Sequence, residues 1–331
     1  MTKVNASNTR DHGGNLDAAI ETYGGTFNDW IDLSTGINPT PYPVPQISLD
    51  AWSALPRKTD MARLNIVAAK AYGTNATPIA FAGAQGAIQV IPFLASPTTA
   101  RVLTPTYNEH AAALQANGWN VESVTTLKNL VGADLAVVVN PNNPDGGRYD
   151  PQTLIELAQQ VGLLIIDESF ADPEPDLSTA SLINDKTENV VVLRSFGKFY
   201  GLAGLRLGFA LTGATLRARL ADLAGPWPIA GPAIEIAQTA LADTSWQAET
   251  IERLTQDAAQ LDEIATRCGW SLVGGTPLFR TYATANANDA QDRLARHHIW
   301  SRIFPYSQSW IRLGLPGSAK AFERVTAALR D

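Results

Sequence analysis

Between Ile79 and Leu211, short apolar runs alternate with helix-like stretches, and this alternation constrains the fold more than any other feature of the chain. The runs are 79–82, 102–104, 121–124, 135–139, 163–166, 190–193 and 207–211. Several, such as Leu135 to Val139 and Leu163 to Ile166, are apolar at every position rather than at every second one. A strand buried on both faces reads this way, and such strands belong to parallel sheets covered by helices on each side. Helical patterns over 109–117 and 151–161 separate the runs and supply the crossovers. The expectation is an α/β domain around a mostly parallel, seven-stranded sheet.

The flanks read differently. The first 60 residues carry Pro39, Pro41, Pro43, Pro45 and Pro56, and predict an irregular arm or cover. One short helix interrupts it, because Leu16, Ala19, Ile20 and Tyr23 fall on a single helical face. After residue 243 come a long helical stretch (246–268), short segments at 270–273 and 279–283, a helix near 289–298, a strand at 310–313 and a closing helix at 319–329. These predict a smaller α+β domain. The expected division is an arm over 1–45 that belongs with the small domain, a large domain over 46–243 and the small domain over 244–331.

Composition narrows the class. The chain has 331 residues, 45% of them hydrophobic and 17% charged, which is too apolar for a disordered chain. Its net charge of −7 argues against a sequence-independent nucleic-acid binder. One cysteine, Cys268, and four histidines argue against a metal centre or an internal disulfide. No apolar run approaches membrane-span length, and the start has no signal-like run, so a soluble cytoplasmic protein is expected.

In open α/β sheets ligands collect at the carboxyl ends of the strands, so the residues that follow each run carry the functional reading. Gly83-Ala84-Gln85-Gly86 opens a helix and can offer backbone N–H groups to a phosphate. Tyr107 follows the second run and can stack on a flat ring. Asn140-Pro141-Asn142-Asn143-Pro144-Asp145-Gly146 offers neutral donors and acceptors. Asp167 directly follows a buried run, where a carboxylate needs a partner. Then Ser195-Phe196-Gly197-Lys198-Phe199-Tyr200-Gly201 and Arg206 place one lysine among glycines and aromatics, with a serine and an arginine beside it. Such a lysine is desolvated and its amine becomes available for imine chemistry. Each piece alone fits an ordinary turn, cap or core position. Together they meet the needs of pyridoxal 5′-phosphate: a phosphate, a flat ring, a phenolic oxygen, a ring nitrogen and an aldehyde.

On these residues the chain resembles the fold-type I pyridoxal-phosphate enzymes of the aspartate aminotransferase superfamily, from about residue 31 to 315. The resemblance implies that Lys198 carries the cofactor, Asp167 pairs with its ring nitrogen, Asn143 bonds its phenolic oxygen and Tyr107 stacks on the ring. It implies that Gly83, Ala84, Gln85, Ser195 and Arg206 hold the cofactor phosphate, and that Arg312, in Trp310-Ile311-Arg312-Leu313-Gly314, grips a substrate carboxylate. Two families within it look most similar, histidinol-phosphate aminotransferases and the L-threonine-O-3-phosphate decarboxylases of cobalamin synthesis. His12-Gly13-Gly14-Asn15, the covering segment 32–39 and Phe170, where aminotransferases usually carry tyrosine, favour the decarboxylases. That reading adds Gly36, Asn38, Asn143 and Arg302 to His12, Gly13, Gly14, Asn15 and Arg312 as substrate-side residues. It also implies a homodimer, although 55–60 lacks the tyrosine with which relatives reach the partner subunit's cofactor.

Overall fold

The structure, a computed structural model, describes residues 12–330. Its strands are β1 (Ile31–Asp32), β2 (Ile79–Ala82), β3 (Thr99–Leu103), β4 (Asn120–Val124), β5 (Leu135–Val139), β6 (Leu163–Asp167), β7 (Val190–Ser195), β8 (Leu207–Leu211), β9 (Ser271–Thr276), β10 (Phe279–Ala283), β11 (Ile299–Trp300), β12 (Arg302–Phe304) and β13 (Ser307–Gly314). All seven expected runs enter one sheet, in the order β2-β8-β7-β6-β5-β3-β4. Every pairing is parallel except those made by β8, which runs against both of its neighbours.

The unbroken apolar runs have a direct physical cause. On β5, Ala136 and Val138 pack into one core while Leu135 and Val137 pack into another on the opposite face. On β6, Leu164 and Ile166 face the first core, and Leu163 and Ile165 the second. On β7 the split is Val190 and Val192 against Val191 and Leu193. Side chains alternate across a strand, so a sheet covered twice needs apolar residues at both parities.

The last third builds a separate antiparallel sheet, β12-β13-β10-β9, with helices Thr244–Arg267, Ala287–Arg296 and Ala319–Arg330. The long helix starts at Thr244 because the Asp243 carboxylate accepts from Trp246 N and caps it. The amino-terminal arm is stitched to this part. β1 pairs with β11, and helix Leu16–Tyr23 buries Leu16 and Ala19 against Trp30 and Ala295. Thus the first half of the arm joins the carboxyl-terminal sheet region, while Asn38 and Tyr42 bond to the backbone of Lys198 and Tyr200 after β7.

Four elements differ from expectation. β3 begins at Thr99 and stops at Leu103, so Thr104 lies in the loop. A helix over Leu49–Ser53 forms within the proline-rich start, where the Ser48 hydroxyl accepts from Ala51 N. Helix Ala214–Ala224 and strand β12 were not legible in the sequence. The first buries Leu220 alone, and the second is three residues long, so neither leaves a clear apolar period.

Candidate active site

The carboxyl ends of β5, β6 and β7 and the amino end of the helix after β2 converge on one cavity of about 310 Å³. Gly83, Ala84, Gln85, Tyr107, Asn143, Asp167, Ser195, Lys198, Arg206, Arg302 and Arg312 all line it, as do His12 and Gly13 of the arm.

Asp167 ends β6 and is 2% exposed. Its Oδ2 accepts from His110 Nε2 at 2.7 Å. Its Oδ1 accepts from Ser169 N at 2.9 Å and Ser169 Oγ at 2.5 Å. Burial pushes this carboxyl up, but the His110 and Ser169 donors outweigh burial and hold it below the usual carboxylate range. It is therefore a fixed negative charge at the floor of the cavity.

Lys198 sits in the single turn of helix Phe196–Phe199 that follows β7. Its Nζ lies 5.5 Å from the centre of the Phe170 ring. Burial, reinforced by the positive charge of Arg312 and opposed by Asp167, brings the amine down to about 8. An amine near 8 is a far better nucleophile at neutral pH than an ordinary lysine.

Between these groups and the helix Gly83–Val90 is a close backbone approach. Gly83 has φ +73°, and a Cβ there would meet Arg206 Nη2 at 2.7 Å. Gly208 is pressed against the Ala84 amide and the Arg194 carbonyl, leaving no room for a side chain. Arg206 itself adopts the left-handed conformation, φ 54°, which turns its guanidinium back over Gly83, where Nη1 donates to the Ala203 carbonyl at 3.1 Å. The result is a cradle of helix N–H groups with a guanidinium across it, suited to a phosphate.

The opposite wall belongs to the carboxyl-terminal sheet. Arg312, on β13 and 2% exposed, donates from Nη1 to Asn143 Oδ1 at 2.5 Å and from Nη2 to the Ser34 carbonyl. It thus ties the covering segment to the loop after β5. Tyr107 donates to Gln85 Oε1 at 3.3 Å, and burial raises its phenol to about 12, so it stays neutral. His12 Nε2 approaches Glu109 Oε1 at 3.0 Å at the cavity mouth.

Four sequence-based candidates stand apart from the cavity lining. Asn15 is exposed and precedes helix Leu16–Tyr23 without capping it through its side chain. Gly14 donates its N–H to Ser34 Oγ at 2.7 Å. Gly36, φ +64°, packs behind the wall against Phe170 and Phe279. Asn38 turns away: its Nδ2 donates to the Phe199 carbonyl at 2.8 Å and its Oδ1 accepts from Arg253 at 2.9 Å. These four residues, expected on the substrate side, lie outside the cavity lining and shape the covering segment. In the other direction, His110, Ser169 and Glu109 were missed. Helical spacing could have found two of them, since Glu109 and His110 share the buried face of Ala113 and Leu114.

Residues 59–329 match the family model described as aminotransferase class I and II. The chain belongs to the aminotransferase class I and II family. Among members of this family, it is 39% identical to a threonine-phosphate decarboxylase of Sinorhizobium sp, over 96% of this chain and 97% of that one. It is 40% identical to a threonine-phosphate decarboxylase of Pseudomonas aeruginosa over the same shares. A histidinol-phosphate aminotransferase of Vibrio cholerae is 29% identical over 67% of this chain and 71% of its own. Among solved structures, the histidinol-phosphate aminotransferase of Sinorhizobium meliloti, in complex with pyridoxal-5′-phosphate, superposes with a TM-score of 0.84 at 20% identity, covering 99% and 97% of the two chains. The L-threonine-O-3-phosphate decarboxylase of Porphyromonas gingivalis superposes at 0.72 and 19% identity, covering 90% and 97%. Both structures share the class I and II aminotransferase fold with this chain.

Proposed function

We propose that this cavity binds pyridoxal 5′-phosphate on Lys198 and decarboxylates L-threonine O-3-phosphate to (R)-1-amino-2-propanol O-2-phosphate, a step of cobalamin synthesis. The observation that carries this reading is near-full-length identity of 39% and 40% to two threonine-phosphate decarboxylases.

The residues present fit the cofactor. The cradle at Gly83, Ala84 and Arg206, closed by Gly208, suits its phosphate, with the Ser195 hydroxyl at the end of β7 beside it. Tyr107 supplies a neutral aromatic face, Asp167 a fixed charge for the ring nitrogen and Asn143 an amide for the phenolic oxygen. Lys198 supplies the amine. When bound, pyridoxal phosphate draws off the electron pair left by a broken bond at the substrate Cα.

The cavity also holds more cationic side chains than a cofactor phosphate and one carboxylate require. Arg206 lies at the cradle and Arg312 at the Asn143 wall, and Arg302 and His12 also line the cavity. That surplus suits a phosphorylated amino acid. Arg312 fixes the substrate carboxylate, and the direction of that anchor decides which Cα bond breaks. The bond to the carboxylate breaks, CO₂ leaves, and in this reading Lys198 Nζ returns a proton to Cα.

The test is to incubate the purified enzyme with L-threonine O-3-phosphate and trap CO₂. Release of CO₂ without need of a keto acid supports the reading. Amino transfer to a keto acid with no CO₂ would instead make the enzyme an aminotransferase of histidinol-phosphate type.

The enzyme works in the cytoplasm as a homodimer in this reading. Supporting the dimer, exposed Leu49, Trp52 and Ile66 lie on helices 49–53 and 58–71, both of which pack on helix Gly231–Ala242, and exposed Trp227 shares a groove with Lys58 and Met61. An apolar patch of this kind marks an interface. Among the described residues no helix is long and apolar enough to cross a membrane.

A further inference from the structure

Glu109 is a buried carboxylate that the cofactor chemistry does not use. It is 6% exposed and stands at the first turn of helix Glu109–Ala116, two residues past Tyr107. Its Oε2 accepts from Gln85 Nε2 at 3.0 Å, and its Oε1 lies 3.0 Å from His12 Nε2. Gln85 in turn accepts from the Tyr107 hydroxyl. One carboxylate therefore links three separate parts of the wall: the amino-terminal arm, the helix of the phosphate cradle, and the ring-stacking turn. The next residue, His110, reaches the other way to Asp167 on the cavity floor.

A carboxylate taken out of water is costly unless a cation stands beside it, and an amide such as Gln85 supplies only a dipole. The imidazole of His12, 3.0 Å from Oε1, is one group that can carry that charge. His12 is the exposed member of the pair, its side chain 40% open at the mouth, while the Glu109 side chain is 7% open. The His12 ring centre is 6.1 Å from the Tyr107 ring, at a tilt of 53°. A doubly protonated imidazole has two N–H donors on different edges, so one can be held by Glu109 while the other serves an incoming anion.

We propose that Glu109 is a positioning residue for substrate recognition: it holds His12 across the cavity mouth so that the imidazole, with Arg302, meets the phosphate of the amino-acid substrate. This deepens the proposed function and rests on it for the identity of the substrate. The start of the arm is anchored to the carboxyl-terminal sheet region through β1 and β11, and the His12–Glu109 contact ties it to the large sheet's elements in addition to the bonds that Asn38 and Tyr42 make to Lys198 and Tyr200.

The test compares wild-type holoenzyme with Glu109→Gln, His12→Ala and the double variant, and adds Glu109→Asp as the conservative control. CO₂ release is measured against L-threonine O-3-phosphate, with inorganic phosphate as a competitor. The expected result is a KM increased about tenfold in each single variant, the inhibition constant for phosphate rising in parallel. kcat should stay within about twofold, and cofactor absorbance should be unchanged. The double variant should be no worse than His12→Ala, because the carboxylate acts through the imidazole, and Glu109→Asp should recover part of the loss. Additive losses in the double variant, a fall in kcat at constant KM, or loss of cofactor from Glu109→Gln would each overturn the proposal. If wild-type enzyme releases no CO₂, the function is wrong. Calorimetric titration of the same proteins with inorganic phosphate then decides the role of Glu109, and equal affinity in wild type and Glu109→Gln would overturn it.

Discussion

His110 Nε2 lies 2.7 Å from Asp167 Oδ2, and both side chains are all but excluded from solvent. The pair joins the first turn of one helix to the end of β6, so the charge under the cavity has its position set by a second element.

His110→Phe keeps the ring volume and removes the donor. The expected cost is about 1–3 kcal/mol of unfolding free energy at neutral pH, from a buried carboxylate short of one partner. The sign of the pH effect follows from the direction of the shift. Asp167 is held below its ordinary 3.8, so its contribution is complete above that value and is lost as pH falls through the native one. The variant should therefore unfold at a higher pH in an acid titration followed by circular dichroism. An acid midpoint equal to that of wild type would contradict the coupling.

Lys198 is the second titrating group of consequence. With its amine near 8 instead of 10.5, imine formation between apoenzyme and pyridoxal phosphate should accelerate with pH up to about 8 and then level. Over the interval from about 8 to 10.5 the unfolded chain binds the proton that the native apoenzyme has released, so native stability gains with rising pH there. Lys198→Met should abolish the cofactor absorbance and turnover, and flatten that stability gain. A rate profile still climbing above pH 10 would place the amine in solvent.

Gly208→Ala tests the phosphate cradle. The added methyl would meet the Ala84 amide and the carbonyl carbon of Gly83. Overpacking of this kind costs roughly 1–3 kcal/mol, and here it falls on the N–H groups proposed to hold the cofactor. A loss of cofactor affinity of about tenfold or more is expected from equilibrium dialysis. Affinity equal to wild type would move the phosphate elsewhere.

Arg312→Lys keeps the charge but removes the planar fork that spans Asn143 and the Ser34 carbonyl. KM for the amino-acid substrate should rise roughly 10- to 100-fold, with a much smaller effect on an amine lacking the carboxylate. Steady-state kinetics with both compounds check this, and equal losses for the two would remove Arg312 from carboxylate recognition.

Much of this site was legible because of where its residues fall in the chain. Gly83, Asp167, Ser195 and Lys198 each stand at or just past the end of an apolar run, and a sheet whose strands β5, β6 and β7 run parallel brings those ends to one edge. Glu109 and His110 were not legible in the same way. They sit at the start of a helix, where a polar pair reads as an ordinary solvated first turn unless its spacing to Ala113 and Leu114 is weighed, and their partners Gln85 and Asp167 come from other elements. Asn38 is the opposite case. Its sequence setting suggested a ligand contact, but the Phe199 carbonyl and Arg253 were nearer partners for a buried amide.

The order of apolar runs and turn residues fixed by itself the doubly covered sheet and the edge at which chemistry collects, since strand parity and chain direction are local properties of the backbone. Which side chains meet across that edge was decided only in three dimensions. Arg312 reaches Asn143 from 169 positions away, and His12 reaches Glu109 from an arm folded with the other end of the chain. Contacts of that span depend on how the arm and the carboxyl-terminal part fold back onto the loops at the edge of the large sheet, which no local pattern encodes.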